Sequence, residues 1–436
     1  MKKYKSSYYN HIIKDGNDTI VFNAKNCALV KVNNIFMELL NHPNERNDSS
    51  YEVLAQQMYS AGFLVDETAD EIKILEHAYN DARNSKDKLT LTILPSYDCN
   101  FKCFYCFEDK KAISLTSKEV VAIKKFTDSH AIGIKELDVC WFGGEPLLNP
   151  DPIWDLSDYF IKLAEKSGFQ YKAIMISNGS LIDDEIVKKL KSSKISLLQI
   201  TVDGDRTTHD KRRGFINGGG SFDVIMNNIQ KLTSNSIKVN CRINLDKTNY
   251  SGVVKLIHYL KERNFKNFQV SFGQLLPLGG EDSWASKVGY SMDEFSRVTD
   301  KLAKVLDEAG VSKVNDYPFY PKPIKNFCGA CQVNSFVIHP SGDLYRCYDS
   351  LDYKIGNVFT GLYNNDVEKR NDAHWMSHNP FRDKECITCN VLPLCMGGCP
   401  HLKSLQHKKF CLKWKNDLDA VLLNRYHSSK LVKNKI

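Results

Sequence analysis

The chain has few of the features that mark membrane or secreted proteins. Its 436 residues contain no run of about 18 or more apolar residues, the length that a membrane-spanning helix needs. The basic N-terminus, MKKYKSSYYNHII, is not followed by the apolar stretch of a signal peptide. We therefore expect a cytoplasmic protein without a membrane partner.

Charge of a single sign is also scarce. The net charge of +7 is spread over 59 basic and 52 acidic residues, without a long block of Lys and Arg. Such a block would mark a nucleic-acid-binding arm, so we expect no nucleic-acid partner. With 42% hydrophobic and 25% charged residues, the composition is that of a globular protein.

Cysteine, in contrast, is concentrated in two parts of the chain. Three of the fourteen cysteines lie in the segment CNFKCFYC, residues 99–106, and eight lie between Cys328 and Cys411. In a chain without a secretion signal, clustered thiols indicate metal or redox cofactors rather than disulfides. The other three have apolar neighbours and are expected to be buried structural thiols: Cys27, Cys140 and Cys241.

The hydrophobic pattern predicts an α/β protein of several domains. Short strands to about residue 35 precede helical periodicity, and the polar stretch at residues 81–88 is typical of a linker. A strand-helix alternation then begins. Its expected strands span residues 89–96, 137–144, 171–179, 196–204, 237–245 and 268–277. Six β/α units predict a parallel sheet curved into a partial or complete barrel, with active-site residues directly after the strands.

These patterns predict four segments. The expected boundaries are 1–88 for a small strand-and-helix domain, 89–316 for the barrel, 317–412 for the cysteine-rich domain, and 413–436 for a C-terminal helix.

The first cysteine segment follows the first barrel strand and has the spacing Cys99-x3-Cys103-x2-Cys106. Structural zinc sites are closed by four ligands, which three crowded thiols do not supply. A 4Fe–4S cluster held by three thiolates leaves one iron open to a further ligand. We therefore expect an iron–sulfur cluster here, with a zinc loop as the alternative.

This spacing, with the aromatic Tyr105 before the last cysteine, resembles the signature of the radical S-adenosylmethionine (SAM) enzymes. The resemblance implies that the open iron chelates SAM, and that an electron cleaves SAM to a 5′-deoxyadenosyl radical that abstracts a substrate hydrogen. It also implies SAM contacts after successive strands. These are Tyr105, Gly143, Gly144 and Glu145 of "GGEP", Ser177 and Asn178, and Thr201 with Arg213. Arg212 is an equal alternative to Arg213, and Asp203 is expected to close a turn with Gly204.

The second cysteine region resembles the SPASM domain, an auxiliary-cluster extension of peptide-modifying radical SAM enzymes. The resemblance implies two further 4Fe–4S clusters, three in all, with interleaved ligands. One would use Cys328, Cys331, Cys347 and Cys399, and the other Cys386, Cys389, Cys395 and Cys411. A single zinc site made by Cys386, Cys389, Cys395 and Cys399 is the alternative, but it leaves Cys331, Cys347 and Cys411 without a role.

The first 88 residues loosely resemble the winged-helix-like peptide-recognition domain of peptide maturases, with three strands and three helices. An exposed strand edge near residues 27–32 could bind an extended leader peptide by β-addition. A packing domain or a dimer contact is the alternative.

Together these resemblances imply a radical SAM oxidoreductase that installs an intramolecular thioether, C–C or C–O crosslink in a ribosomally made precursor peptide. A flavodoxin or ferredoxin would supply electrons. The alternatives are a maturase of a protein or cofactor peptide, such as the sulfatase type, and a non-catalytic zinc-binding peptide adaptor.

Two features of the sequence disfavour the sulfatase type. Sulfatase maturases place an aspartate base directly after the third auxiliary cysteine, whereas Tyr348 follows Cys347 and Asp349 comes next. They also lack a long segment before the first cysteine motif. The general base is not identified by the sequence; the candidates are Tyr348 and Asp349, with Glu108 and Asp109 beside the first motif.

Overall fold

A computed structural model describes most of the chain. The described residues are 2–45, 48–108, 110–276, 278, 284–311, 320–406 and 410–433. Asp109 and the expected boundary at 316/317 lie outside them.

The N-terminal part combines two small antiparallel sheets with three helices. Its elements are β1 (Tyr4–Ser6), β2 (Asn10–Asp15), β3 (Asp18–Asn23), β4 (Ala28–Val32), α1 (Asn34–Asn41), α2 (Ser49–Ser60), β5 (Leu64–Asp66) and α3 (Glu71–Asn84). β2, β3 and β4 form one sheet in that order, and β1 pairs with β5. The side chains of Asn33, Asp48 and Asp70 cap the three helices. The sequence pattern had missed the β1–β5 ribbon, because strands of three residues are too short to show a period.

The central part is the predicted β/α alternation. Its strands are β6 (Lys88–Ser96), β7 (Glu136–Gly143), β8 (Gln170–Ser177), β9 (Ile195–Thr201), β10 (Lys238–Leu245) and β11 (Phe268–Gln274). Its helices are α4 (Ser117–His130), α5 (Asp151–Ser167), α6 (Asp184–Ser192), α7 (Arg206–Arg212), α8 (Phe222–Ser234), α9 (Tyr250–Arg263), α10 (Trp284–Val288) and α11 (Met292–Ala309).

The six central strands are parallel and adjacent in sequence order. Among the described residues β11 pairs only with β10, so the barrel is open on that side. The predicted fold class, an α/β protein with a partial barrel, is confirmed. The carboxyl ends of all six strands lie at one end of the sheet, where the parallel arrangement gathers the loops.

The cysteine-rich part extends the same sheet from its other side. Its strands are β12 (Ser335–Ile338), β13 (Asp343–Tyr345), β14 (Gly356–Asn357) and β15 (Gly361–Leu362), and its helices are α12 (Asp366–Met376), α13 (Lys384–Ile387), α14 (Leu392–Cys395), α15 (Pro400–Gln406) and α16 (Trp414–Lys433). β12 is buried at all four residues and pairs in parallel with β6, the strand that precedes the first cysteine motif. The two cysteine regions therefore share one sheet.

A second hydrophobic core joins the N-terminal part to the cysteine-rich part. Tyr9, Ile20 and Phe22 of the β2–β3 region pack with Leu392 and with Leu422 of α16. Hydrogen bonds reinforce this contact. Tyr79 Oη donates to the carbonyl of His378 at 2.8 Å, and Tyr8 Oη donates to the carbonyl of Thr388 at 2.7 Å. The N-terminal part therefore docks on the cysteine-rich part. Within the described residues, no helix is both long enough and apolar enough for a membrane crossing.

Candidate active site

The three thiols of the first motif line one cavity of about 250 Å³ at the carboxyl ends of the strands. Their loop pairs with a second loop, because Lys102 N–H donates to Gly214 O and Ile216 N–H donates to Asn100 O, both at 3.0 Å. The Phe101 and Phe215 rings pack beneath it at 4.9 Å. This contact brings the segment that follows α7 to the thiols.

Gly143 and Gly144 end β7 directly against the chain that leads to the thiols. A Cβ on Gly143 would lie 2.3 Å from the Ser96 carbonyl oxygen, and one on Gly144 would lie 2.3 Å from that of Asp98. Gly143 also has a left-handed φ of 125°. Only glycine permits this approach. Both glycines line the cavity, as predicted for SAM contacts.

Glu145 lies behind the cavity wall rather than in it. Its side chain is fully buried, and it accepts hydrogen bonds from Ser177 Oγ at 2.9 Å, Asn178 N–H at 2.7 Å and Leu147 N–H at 3.1 Å. Burial raises the pKa of this carboxyl to about 7. In this structure Glu145 joins the end of β7 to the end of β8 and is not among the cavity-lining residues.

Ser177 and Asn178 line the cavity through the turn that Glu145 holds. The Asn178 side-chain amide donates to Asn100 Oδ1 at 2.7 Å and lies 3.9 Å from Cys99 Sγ. Both residues are buried. The third strand end is thereby fixed beside the first thiol.

Tyr105, between the second and third thiols, is the centre of a polar network. Its hydroxyl donates to Asp203 and accepts from Arg213 Nη1 at 2.7 Å and from Asn244 Nδ2 at 3.3 Å. Asp203 is completely buried and also accepts from Asn244 N–H at 3.0 Å. Asp203 therefore does more than close a turn with Gly204: it anchors the cysteine loop to the ends of β9 and β10.

The two neighbouring arginines occupy different places. Arg213 lines the cavity with Thr201, and its Nε is a buried donor without a hydrogen-bond partner among the described residues. Arg212 points away from the cavity and pairs with Asp203 at 3.4 Å and with Asp246 at 2.8 Å. Of the two predicted alternatives, Arg213 is the one positioned to hold an anion in the cavity.

Several lining residues were not predicted from the sequence. They are polar side chains that project from β9, β10 and β11, namely Gln199, Arg242, Asn244 and Gln274. A signal was present in the segment KVNCRINL, where Arg242 and Asn244 alternate with the buried Cys241, Ile243 and Leu245. Polar residues on one face of an otherwise apolar barrel strand indicate a site.

The candidate bases Glu108, Tyr348 and Asp349 also line the cavity. Burial raises the pKa of the Glu108 carboxyl to about 7 and that of the Asp349 carboxyl to about 6. Tyr348 packs on Phe142 of β7 at 4.9 Å. The residues that follow Cys347 thus face the three-thiol loop across the cavity.

All fourteen cysteines lie among the described residues, and none forms a disulfide. Cys328 and Cys331 share a hydrogen bond that lowers the pKa of Cys328 and raises that of Cys331. The pKa of Cys347 is raised mainly by burial, and the charges of Cys328 and Cys399 contribute to the rise. These four thiols, the first predicted set, are therefore near enough to influence one another's pKa values, and their sharing of one cluster stays a prediction.

The second predicted set lines one small pocket formed around Cys386, Cys389, Cys395 and Cys411. Cys395 and Cys399 are only four residues apart, yet they are predicted to belong to different sets. Met396, Gly397 and Gly398 are all left-handed, with φ of 45°, 85° and 71°. This run of left-handed residues turns the chain between the two cysteines, and such a turn is compatible with the predicted interleaving.

Among the described residues, no group of three or more His, Cys, Asp or Glu side chains is placed closely enough to bind one metal ion.

Residues 93–260 match the sequence profile of a family described as the radical SAM superfamily. This part of the chain is a radical SAM domain. Such a domain implies one 4Fe–4S cluster and SAM as cofactors. The three thiols, the glycine cradle and the unsatisfied Arg213 Nε lie around one cavity, so the residues of this radical SAM enzyme fit both groups.

Relatives of this radical SAM enzyme include maturases. A cysteine-type anaerobic sulfatase-maturating enzyme of Clostridium novyi is 26% identical, over 71% of this chain and 87% of the relative. The radical SAM cyclopropyl synthase TigE of Paramaledivibacter caminithermalis is 24% identical, over 90% of this chain and 89% of that protein. The structure of Streptococcus suis SuiB bound to precursor peptide SuiA is similar in fold, with a TM-score of 0.54 at 15% identity, covering 92% of this chain and 97% of SuiB.

Proposed function

We propose that this radical SAM enzyme modifies a ribosomally made precursor peptide and installs an intramolecular crosslink. The observation that carries the proposal is the shared cavity, in which the three-thiol loop faces Tyr348 and Asp349, the residues after Cys347. The same cavity thus adjoins both cysteine regions.

In this proposal Cys99, Cys103 and Cys106 hold the SAM-binding cluster. Gly143 and Gly144 give SAM close access to the backbone, while Arg213 pairs with its carboxylate. When bound, the cluster and SAM supply one-electron cleavage of SAM and abstraction of a substrate hydrogen. The hydrogen bonds of the buried Tyr105 hydroxyl with Asp203 and Arg213 fix the position of Arg213 relative to the cysteine loop.

Formation of a crosslink removes two hydrogens from the peptide. One leaves as an atom, and the other leaves as a proton together with one electron. Asp349, whose carboxylate faces the cavity, is the proposed proton acceptor. The two sets of four thiols would hold two auxiliary 4Fe–4S clusters that accept the electron, which then passes to a flavodoxin or ferredoxin.

The N-terminal part is the proposed leader-binding domain. β4 pairs with β3 on one side, and its other edge has no strand partner among the described residues. Asp15 and Asp18 flank a two-residue turn and form a hydrogen-bonded pair of β2 and β3. Because the N–H groups of successive residues point to opposite sides of a strand, this pair determines the directions in β4. The N–H of Val30 points toward β3, and those of Leu29 and Lys31 point toward the free edge of β4. An extended leader can add to this edge.

The extent of the sequence similarity favours a precursor-peptide substrate over a sulfatase. The match to the cyclopropyl synthase covers 90% of this chain, whereas the match to the sulfatase-maturating enzyme covers 71%. Cys347 is followed by Tyr348, which also departs from the expected sulfatase-type motif. Sulfatase maturation is therefore the second candidate.

The deciding experiment is tandem mass spectrometry of short peptides encoded beside the gene, each co-expressed with the enzyme or with its Cys103→Ala variant. We expect a loss of 2 Da per crosslink, with no backbone fragments inside one segment, only with the active enzyme. If a brown, SAM-cleaving enzyme leaves these peptides unchanged but oxidises a sulfatase cysteine or serine peptide, the second candidate replaces the first.

Leader binding is best tested at β4, because removal of the N-terminal part would expose the core it shares with Leu392 and Leu422. Lys31→Pro removes an outward N–H, and Lys31→Ala is the matched control that loses only the side chain and its 2.6 Å ion pair with Asp18. We expect weaker binding of a fluorescent leader to Lys31→Pro alone. Equal binding by the two variants would contradict β-addition at this edge.

A further inference from the structure

A second cavity, of about 500 Å³, opens beside the first at the unpaired edge of the barrel. It lies between β11, α11 and the segments at 322–327 and 410–414. The two cavities share Arg242, Gln274 and Leu276 as lining residues, so they adjoin each other. Its volume is within the range of small-molecule and side-chain binding pockets.

The wall of the second cavity is apolar and carries charge of one sign. Its aromatic side chains are Phe272, Phe295, Phe327, Phe410 and Trp414. Its charged side chains are Arg242, Lys322 and Lys413. No Asp or Glu is among the described residues that line it, although Asp300 and Asp417 lie near Lys413 outside the lining. A bulky apolar group with a nearby negative charge complements this wall.

Arg242 stands at the junction of the two cavities in a fixed orientation. Its Nε donates to Asn244 Oδ1 at 2.9 Å, and Asn244 donates in turn to Tyr105. On the neighbouring strand β11, a Cβ on Gly273, the residue that pairs with Asn244, would lie 2.4 Å from Arg242 Nη2. The guanidinium therefore lies against the bare backbone of Gly273, and its position depends on that glycine.

The terminal nitrogens of Arg242 are available to a ligand. Within the part of the chain that the structure describes, Nη1 and Nη2 form no hydrogen bond, while Nε is satisfied by Asn244. A guanidinium held in this way offers two parallel donors, the geometry that binds a carboxylate most strongly. Because the side chain is already oriented, little entropy is lost on binding.

We propose that Arg242 and the second cavity select the substrate, which carries a carboxylate residue directly beside an aromatic or other bulky apolar residue. Arg242 binds the carboxylate, and the cavity binds the apolar side chain. This deepens the proposed function, since it assigns the sequence class of the modified segment.

The test uses three synthetic probes: N-acetyl-Glu-Phe-amide, N-acetyl-Gln-Phe-amide and N-acetyl-Glu-Ala-amide. Binding to the reconstituted, SAM-loaded enzyme is followed by calorimetry. We expect Glu-Phe to bind about tenfold more tightly than either of the others, because a charge-assisted bidentate contact or a buried ring is then lost. Equal affinities for Glu-Phe and Gln-Phe, or no saturable binding, overturn the proposal.

Three variants assign the effect to the named residues. Arg242→Gln should remove the preference for Glu over Gln and keep the preference for Phe over Ala. Phe272→Ala should do the reverse. Gly273→Ala keeps the charge but displaces the guanidinium, so it should reproduce the Arg242→Gln result, and circular dichroism checks that each variant is folded.

SAM binding separates this proposal from a role for Arg242 in the cofactor site. The affinity for SAM, measured without peptide, should be the same in Arg242→Gln and in the unchanged enzyme. A tenfold loss would assign Arg242 to SAM and overturn the substrate subsite. Selective probe binding without modification of any precursor would contradict the proposed function alone, whereas a crosslinked precursor lacking an acidic residue beside the modified one would contradict the subsite alone.

Discussion

The two cysteine regions differ in what surrounds their thiols. The three-thiol loop lines a cavity whose other walls are a glycine cradle, a buried arginine and polar strand ends. In the C-terminal part, Cys386 and Cys389 pack against the core that is shared with the N-terminal part and α16. The first environment leaves room for a ligand, and the second contains the eight thiols that the two predicted sets of four ligands require.

In the proposed function, this difference separates SAM binding from electron transfer. A cluster that must contact SAM needs an open face and anion-binding groups around it, which the first region provides through Arg213 and the glycine pair. A cluster that only accepts electrons needs proximity to the cavity and protection from solvent. Cys347, two residues before the cavity-lining Asp349, provides that proximity.

The largest predicted effect contrasts the two regions directly. Cys103→Ala should reduce SAM cleavage by at least about a thousandfold, because the open cluster cannot form with two thiolates. The pair Cys386→Ala and Cys389→Ala, made together, should leave SAM cleavage measurable and abolish the crosslink. Chromatography of 5′-deoxyadenosine and mass spectrometry of the peptide provide the two readouts.

Iron content is the control for this contrast. Cys103→Ala should lose about four irons per chain and the double variant about four others. If the double variant still forms crosslinked peptide at the normal rate, the auxiliary set has no role in electron removal.

The second prediction compares Arg213 with Arg212 inside the first region. Arg213→Gln should weaken SAM binding about tenfold or more, because a charge-assisted hydrogen bond is lost. Arg212→Gln leaves Asp203 and Asp246 buried without their cation, so it should lower the unfolding free energy by about 3–5 kcal/mol. Equilibrium dialysis with SAM and thermal unfolding measure the two effects. If Arg212→Gln weakens SAM binding and Arg213→Gln lowers the stability instead, Arg212 binds SAM and Arg213 is the structural residue.

Much of the fold was predictable because its signals are local. The strand expected at 89–96 is observed as Lys88–Ser96, and the one expected at 237–245 as Lys238–Leu245. Runs of apolar β-branched residues between amphipathic helices determine these limits. The parallel order then follows from the right-handed β/α connection.

The arrangement of the site was only partly predictable. Spacing could not show that Arg213 faces the cavity and Arg212 does not, because that depends on the register of α7 and on pairing with Asp246. The placement of Glu145 behind the wall depends on the turn after β8, far along the sequence. Long-range contacts of this kind leave no periodic signal.

The third prediction concerns the contact between the barrel and the C-terminal part. Burial and Asp417 of α16 raise the pKa of Asp300 on α11 to about 6, against the effect of Lys413. A carboxyl whose pKa is higher in the folded than in the unfolded state adds to the free energy of unfolding at pH values below the pKa of the unfolded state. This contribution is lost as the pH rises from about 4, the unfolded-state pKa, to about 6, the folded-state pKa. Asp300→Asn should therefore raise stability by about 1 kcal/mol at pH 7.5 and change it little at pH 4.

Melting temperatures of both proteins at the two pH values provide the measurement. Glu262→Gln, a carboxyl change on α9, serves as the control for the loss of one negative charge. A stabilisation by Asp300→Asn that is equal at both pH values would show that ionisation of Asp300 is not its cause.

The smallest predicted effect separates the two auxiliary sets from each other. Lys415 donates to Cys389 Sγ at 3.6 Å, whereas in the other set burial and then the charge of Asp349 raise the pKa of Cys347. A positive charge stabilises the reduced cluster and a negative charge destabilises it. The set near Lys415 should therefore have the higher reduction potential and receive the electron last.

Lys415→Met should lower the reduction potential of this set by roughly 10–40 mV, which corresponds to the free energy of a solvent-exposed ion pair, and Lys415→Arg should leave it unchanged. Redox titration followed by electron paramagnetic resonance measures the shift, and a potential unchanged in Lys415→Met would leave the two sets without an electrostatic difference to direct the electron.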